Sequence, residues 1–299
     1  MNAVIVAARR TPIATAGRAL AAYSAADLGA AALQAVCRDL TALVPRPPAE
    51  IVLGNCMGPG GNVARVAALQ AGLPWETGAL TIDRQCGSSQ QAIQFAAQAV
   101  MSGVQDVVIA AGVESMTRVP MGSNAMFHMK EGLGHYKSPG LEEKYPGVMF
   151  SQFMGAEMLV GKHGLTKDDL DRFALNSHVK ARAATEAGAF AAEIVPIEVE
   201  TPEGKVLHTI DEGIRMDATL EGIAGVKLIS EGGALTAATS SQICDGSSAA
   251  LVVSEEALKR YGLTPLARIH TLTVTAGDPV IMLEEPLFAT DRALQRAGL

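Results

Sequence analysis

Asp83-Arg84-Gln85-Cys86-Gly87-Ser88-Ser89-Gln90-Gln91 is the stretch around which the chain is organised. The short apolar run Ala79 to Ile82 precedes it, and Ala92, Ile93, Ala96, Ala97 and Val100 follow at helical spacing. Gly103 stops that helix. Beyond it, Asp106-Val107-Val108-Ile109-Ala110-Ala111-Gly112 is an apolar run between turn residues, as expected of a strand buried on both faces. Cys86 is therefore placed at a strand-to-helix turn. The unpaired amides and positive dipole end of a helix favour a thiolate there, and amides around Gly87 are positioned to face a developing oxyanion. A lone cysteine in an apolar context is ordinarily an inert core residue, and Cys37, Cys56 and Cys244 fit that description. Cys86 does not, because Arg84, Gln85, Ser88, Ser89 and Gln90 surround it with polarity.

Continued through Gly112-Val113-Glu114-Ser115-Met116-Thr117, this stretch closely resembles the nucleophile segment of the thiolase family, the acyl-CoA C-acyltransferases. The resemblance extends along the whole chain. It implies a layered α/β fold and a reaction in which Cys86 carries an acyl group as a thioester between acetyl-CoA and coenzyme A, in thiolytic cleavage or Claisen condensation of 3-ketoacyl-CoA. Coenzyme A is then a substrate, and no covalently bound cofactor is implied.

Composition agrees with that class. A chain of 299 residues, 48% hydrophobic and only 4% aromatic, suits an Ala- and Gly-rich α/β enzyme. A net charge of -7 without a Lys/Arg cluster argues against a nucleic-acid partner. No apolar run approaches the roughly 20 residues of a membrane span, and no signal-peptide pattern opens the chain. Four scattered cysteines suggest neither a disulfide framework nor a zinc site, so a cytoplasmic enzyme is expected.

In chain order, Ala3 to Ala8 reads as a buried strand ending at the turn Arg9-Arg10-Thr11-Pro12. Ser24 to Cys37 reads as a helix capped by Ser24 with Asp27 three residues on. Pro45-Arg46-Pro47-Pro48 breaks the chain before the strand Ile51 to Gly54, and the loop Gly58 to Asn62 opens another helix. That loop matches neither the dinucleotide fingerprint nor the P-loop, so it is read as a structural or subunit-contact loop. Met121 to Gly147 lacks periodicity and reads as an irregular insert. Helices are predicted from Ser151 to Lys162 and, behind a Thr166/Asp169 capping box, to about Ala187. Strand pieces at Ile194 to Val199 and Lys205 to Ile210 follow, then a strand at Ala249 to Val253 after a Ser240-to-Gly246 loop. A helix from Glu255 to Tyr261, a strand from Ala267 to Val274 and a helix from Thr290 to Ala297 close the reading.

The resemblance divides this order into residues 1–117 and 237–264 as the N-terminal α/β half, 118–236 as an inserted loop domain that binds coenzyme A, and 265–299 as the start of a C-terminal half. It also transfers single positions. Ser241 matches a serine that contacts the pantetheine, and Lys227 stands where a basic residue is often found near the adenine nucleotide. Met154 lines the acyl pocket by the same match, whereas Phe153 departs from a frequent histidine. Ser89 and Cys244 also depart from the common glycine and asparagine. These departures bear on acyl specificity, and the Asp83-to-Gln90 spelling, with Phe153 and the loop methionines, resembles degradative members that act on bulky or unusual acyl groups. A homodimer or homotetramer is implied.

Family members also carry an Asn-Glu-Ala-Phe segment, a Gly-His-Pro histidine and a Cys-x-Gly-Gly cysteine, and none of these occurs in the sequence. The six histidines read as ordinary surface or core residues. The expectation is accordingly of a truncated chain with little turnover on its own, with a catalytically dead paralogue that binds an intact subunit as the alternative. A nucleotide-dependent oxidoreductase would also alternate strands and helices, but no glycine fingerprint follows the first strand.

Overall fold

The computed structural model describes residues 2–41 and 48–299; Pro45, Arg46 and Pro47, the core of the expected proline break, lie outside them. Its first strand, β1 (Ala3–Arg10), runs two residues past the apolar segment. Arg10 is held in the strand by tertiary contacts. Its N–H donates to Glu193 O at 2.9 Å and its carbonyl accepts from Val195 N–H at 2.7 Å. A two-residue strand β2 (Ala14–Thr15) follows, then helix α1 (Ala25–Thr41), preceded by the expected reciprocal Ser24–Asp27 bonds. β3 (Glu50–Gly54), α2 (Val63–Gln70), β4 (Gly78–Ile82), α3 (Ser88–Met101) and β5 (Val107–Ser115) alternate as the periodicity predicts. Asn62 caps α2 by accepting the Arg65 N–H at 3.2 Å.

Residues 121–147 are not wholly irregular. They hold two short helices, α4 (Ser123–Lys130) and α5 (Pro139–Lys144). Neither buries a residue, so neither carries the apolar period that would reveal it. Ser138 caps α5, with Pro139 pre-set for the first turn. α6 (Gln152–His163) ends at a left-handed Gly164, and α7 (Lys167–Glu186) starts with the predicted Thr166/Asp169 capping box. β6 (Ile197–Thr201) and β7 (Gly204–His208) form an antiparallel pair, followed by α8 (Leu220–Ala224) and a single 3₁₀ turn at Ala237–Thr239.

Three further boundaries differ from expectation. β8 (Cys244–Ser254) begins five residues early, inside what reads as a loop. Asp245 is fully buried there and accepts the Thr117 N–H at 2.9 Å, so a turn-type residue is spent on a strand. After α9 (Glu255–Arg260), β9 is only Ala267–Arg268. Its partner β1 begins at Ala3, which accepts the Ile269 N–H, and no ladder remains beyond that point. α10 (Glu285–Ala297) starts five residues early because Pro286 fits a first helical turn.

Two compact units result. The first comprises residues 1–124, 190–213 and 243–269, so segment 190–213 belongs with the main sheet although it reads as part of the insert. Its seven-stranded sheet has the order β4-β3-β5-β8-β1-β9, with β2 on β8. β3, β4 and β5 are parallel, whereas β8 is antiparallel to both β5 and β1. Ile51, Leu53, Ile109, Ala111 and Leu251 face α1 and α2 in one apolar cluster. The alternate residues Val52, Gly54, Val108, Ala110 and Gly112 turn to the opposite face, where α3 lies. Leu251 is fully buried, and its truncation to alanine costs about 2–5 kcal/mol. The second unit comprises residues 125–189, 214–242 and 270–299 and is helical. Among the described residues, no helix is long and apolar enough to cross a membrane.

Candidate active site

Strand β4 ends at Ile82 and α3 begins at Ser88, so Cys86 stands two residues before the helix, exposed at its N-terminal end. The turn between them is closed on itself. Gln85 N–H donates to Asp83 Oδ1 at 2.7 Å, and Arg84 N–H donates to Ser88 Oγ at 2.8 Å. Ser88 Oγ–H donates to Gln85 O at 2.5 Å, and the Ser88 N–H reaches the same carbonyl at 3.1 Å. The Arg84 guanidinium also donates to the buried Gln91 side chain. Gln85 lies at φ 48°, a left-handed conformation unusual for a residue with a side chain. Such strain persists only where neighbours over-determine it, and here it lifts the next residue, Cys86, to the surface.

The glycines this geometry demands are not the one beside the cysteine. Gly87 has φ -89°, and a Cβ there would meet only Arg84, at ordinary contact distances beginning with its carbonyl oxygen at 3.4 Å. Gly54 and Gly112 are the close approaches. A Cβ on Gly54 would sit 2.4 Å from Ser89 N, and one on Gly112 would sit 2.5 Å from Ser89 Cβ. The first turn of α3 therefore rests on bare backbone at the C-terminal ends of β3 and β5. Sequence periodicity cannot reveal this, although glycine at the end of two buried strands is the available signal.

The remaining cysteines are held as thiols. Burial pushes Cys37 up to about 11. Cys56 is pushed up to about 12 by burial first, then by the charge of Glu114 and a hydrogen bond to it. Burial and then Asp245 raise Cys244. Glu114 also accepts the Cys56 N–H at 2.5 Å, fixing the chain beyond β3.

The other expected site residues all lie in the second unit. Phe153 and Met154, in the first turns of α6, are half-exposed and share one apolar cavity of about 340 Å³ with Met158, Ile229 and Leu235. Lys227 is exposed just after α8, and Ser241 is exposed between the 3₁₀ turn and β8. Neither lines that cavity. Glu157, which sequence reading passes over, also lines it. His135 Nδ1 accepts the Lys137 N–H at 3.0 Å and His178 Nδ1 the Arg215 N–H at 3.3 Å, local structural roles for both. Among the described residues, no group of three His, Cys, Asp or Glu side chains could hold a metal ion.

The family model for the thiolase N-terminal domain matches residues 3–256. The steroid 3-ketoacyl-CoA thiolase FadA6 of Mycobacterium tuberculosis is 43% identical, over 100% of this chain and 73% of its own length. A 3-ketoacyl-CoA thiolase of Vibrio cholerae is 40% identical, over 99% of this chain and 76% of its own. The crystal structure of human mitochondrial 3-ketoacyl-CoA thiolase superposes with a TM-score of 0.86 at 34% identity, covering 100% of this chain and 77% of that one. The same human enzyme in complex with CoA gives a TM-score of 0.85 at 33% identity, covering 100% and 76%.

Proposed function

This chain belongs to the thiolase family, and from that premise we propose that Cys86 is the nucleophile of an acyl-CoA C-acyltransferase. The observation that carries the assignment is its place, an exposed thiol lifted by a strained turn onto the N-terminal end of α3, while Cys37, Cys56 and Cys244 are held protonated. In the cleavage direction, Cys86 Sγ attacks the 3-keto carbon and the bond to C2 breaks. The electron pair goes to C2, which takes a proton and leaves as acetyl-CoA. The acyl group remains on Cys86 as a thioester, and the thiol of a second coenzyme A takes it away. Dividing the transfer in this way replaces one difficult step by two easier ones. The helix end supplies positive potential where negative charge develops.

In the same reading, Ser241 contacts the pantetheine, Lys227 lies near the adenine nucleotide, and Phe153 with Met154 lines the acyl pocket. Residues 118–236, apart from the segment 190–213 that packs with the main sheet, are the inserted domain, 1–117 with 237–264 the N-terminal half, and 265–299 the start of the C-terminal half. The substrate is a 3-ketoacyl-CoA with a bulky acyl group, degraded rather than built. Three things support that: the apolar cavity, the ring of Phe153, and the steroid thiolase among the relatives. The enzyme is cytoplasmic, in keeping with its acidic balance and unpaired cysteines. It works as a homo-oligomer. β4 is an edge strand, and Leu80, Trp75 and Phe95 leave apolar surface exposed in the same unit.

The test compares kcat/KM for thiolysis of a branched 3-ketoacyl-CoA and of acetoacetyl-CoA in the intact enzyme and in Phe153→His. Preference for the branched substrate, diminished in the variant, is expected. No thiolysis of either, or an unchanged ratio, contradicts the reading.

A further inference from the structure

Glu157 holds one wall of the apolar cavity in place. The segment from Leu228 to Thr236 is a small hairpin: Leu228 bridges to Thr236, Ile229 N–H donates to Leu235 O at 2.9 Å, and Gly233 N–H closes the tip on Ser230 O at 3.2 Å. The hairpin is tied to α6 through one carboxylate. Glu157 accepts the Ala234 N–H at 3.1 and 3.0 Å on its two oxygens and the Leu235 N–H at 3.0 Å, and Ser230 Oγ stands 3.5 Å away. The fit is close, since a Cβ on Gly233 would come within 2.3 Å of Glu157 Oε1. Phe153, Met154 and Met158 form the α6 wall of the cavity, and Ile229 and Leu235 form the hairpin wall. Phe153 and Glu157 are four residues apart on the helix, so the carboxylate sits one turn from the ring that faces the cavity.

We propose that Glu157 is a positioning residue for substrate selection: by clamping the Leu228–Thr236 hairpin to α6 it fixes the separation of the two apolar walls, and so the width of acyl group the cavity accepts. The inference rests on the reading of this cavity as the acyl pocket. A hydrogen-bonded clamp suits the task, because three backbone and hydroxyl donors converge on one rigid group, whereas apolar packing alone would let the hairpin slide. The carboxylate acts through the hairpin and not on a reacting atom.

The experiment measures kcat and KM of the intact enzyme for a branched 3-ketoacyl-CoA and for acetoacetyl-CoA in wild type, Glu157→Ala, Glu157→Gln and Gly233→Ala. Glu157→Ala is expected to lower the branched-to-acetoacetyl ratio of kcat/KM about tenfold, mainly through KM for the branched substrate. Gly233→Ala pushes the hairpin off the clamp from the other side and is expected to move the ratio the same way. Glu157→Gln keeps an acceptor oxygen and is expected to retain most of the wild-type ratio. A ratio unchanged in both Glu157→Ala and Gly233→Ala, with wild type preferring the branched substrate, overturns the clamp and leaves the pocket reading standing. Equal losses of kcat on both substrates overturn it as well. A wild-type enzyme with no preference for the branched substrate overturns the pocket reading, and the clamp with it.

Discussion

Gly54 on β3 and Gly112 on β5 are register partners in the parallel sheet, and both turn their missing side chains towards Ser89 at the start of α3. The turn that carries Cys86 therefore leads into a helix whose floor is made of two adjacent strand backbones. In the turn that precedes the helix, Gln85 lies at φ 48° and the next residue, Cys86, is exposed.

A methyl group on that floor shifts the turn without touching Cys86. Gly112→Ala is expected to lower kcat roughly 10²-fold, as a displacement of about 1 Å does at a reacting centre. Steady-state kinetics beside a thermal melt provide the check. Wild-type kcat in a variant that carries the methyl group would show that the close approach is irrelevant to the chemistry.

Brief iodoacetamide treatment at neutral pH is expected to label Cys86 ahead of Cys37, Cys56 and Cys244, by peptide mapping. The same thiols give a pH dependence of stability. Cys37 and Cys56 have folded values of about 11 and about 12 against an ordinary thiol value of 9.0, so the folded state holds those protons more firmly. Their contribution is whole below the ordinary value and is lost as pH climbs towards the folded values. The denaturant midpoint is expected to fall as pH rises from about 9 towards about 11, and Cys56→Ala is expected to flatten that fall. Uniform labelling, or a midpoint that rises with pH, would contradict this.

Arg10 ties residues 190–213 to the end of β1. Its guanidinium binds Asp211 in two bonds of 2.8 and 2.9 Å and Glu193 at 2.7 Å, and it lies 5.4 Å from the Phe190 ring centre. Arg10→Ala is expected to destabilise the protein by about 2 kcal/mol in chemical denaturation, less than for a fully buried pair because all three groups keep some solvent contact. Arg10→Lys is expected to recover little, since an ammonium cannot make the paired contact. A loss within experimental scatter of wild type would remove Arg10 from this role.

Much of this architecture is legible in the residues. β5 is an unbroken apolar run because both its faces are covered, and α7 announces itself through Thr166 and Asp169. The position of Cys86 follows from the strand and helix on either side. What is not legible depends on partners distant in sequence. β8 extends back to Cys244 because Asp245 finds Thr117 and pairs with Ser115. β9 stops at Arg268 because β1 offers no further edge, and α4 and α5 bury nothing that would give them a period. At the candidate site, the sequence marks Cys86 but gives no periodic sign of the floor beneath Ser89 or of the Glu157 carboxylate behind the 228–236 hairpin. Both arise from backbone approaching backbone or carboxylate, which leaves no periodicity along the chain, although glycine near the end of two buried strands is a signal for the floor.

Cys86 is proposed to carry the acyl group. The direct measurement mixes the intact enzyme with a 3-ketoacyl-CoA in the absence of free coenzyme A, quenches in acid, and maps the peptides by mass. One acyl group is expected on the peptide containing Cys86, discharged when coenzyme A is added before the quench, and absent in Cys86→Ala. An acyl group on Cys37, Cys56 or Cys244 instead, or undiminished thiolysis by Cys86→Ala, would contradict it.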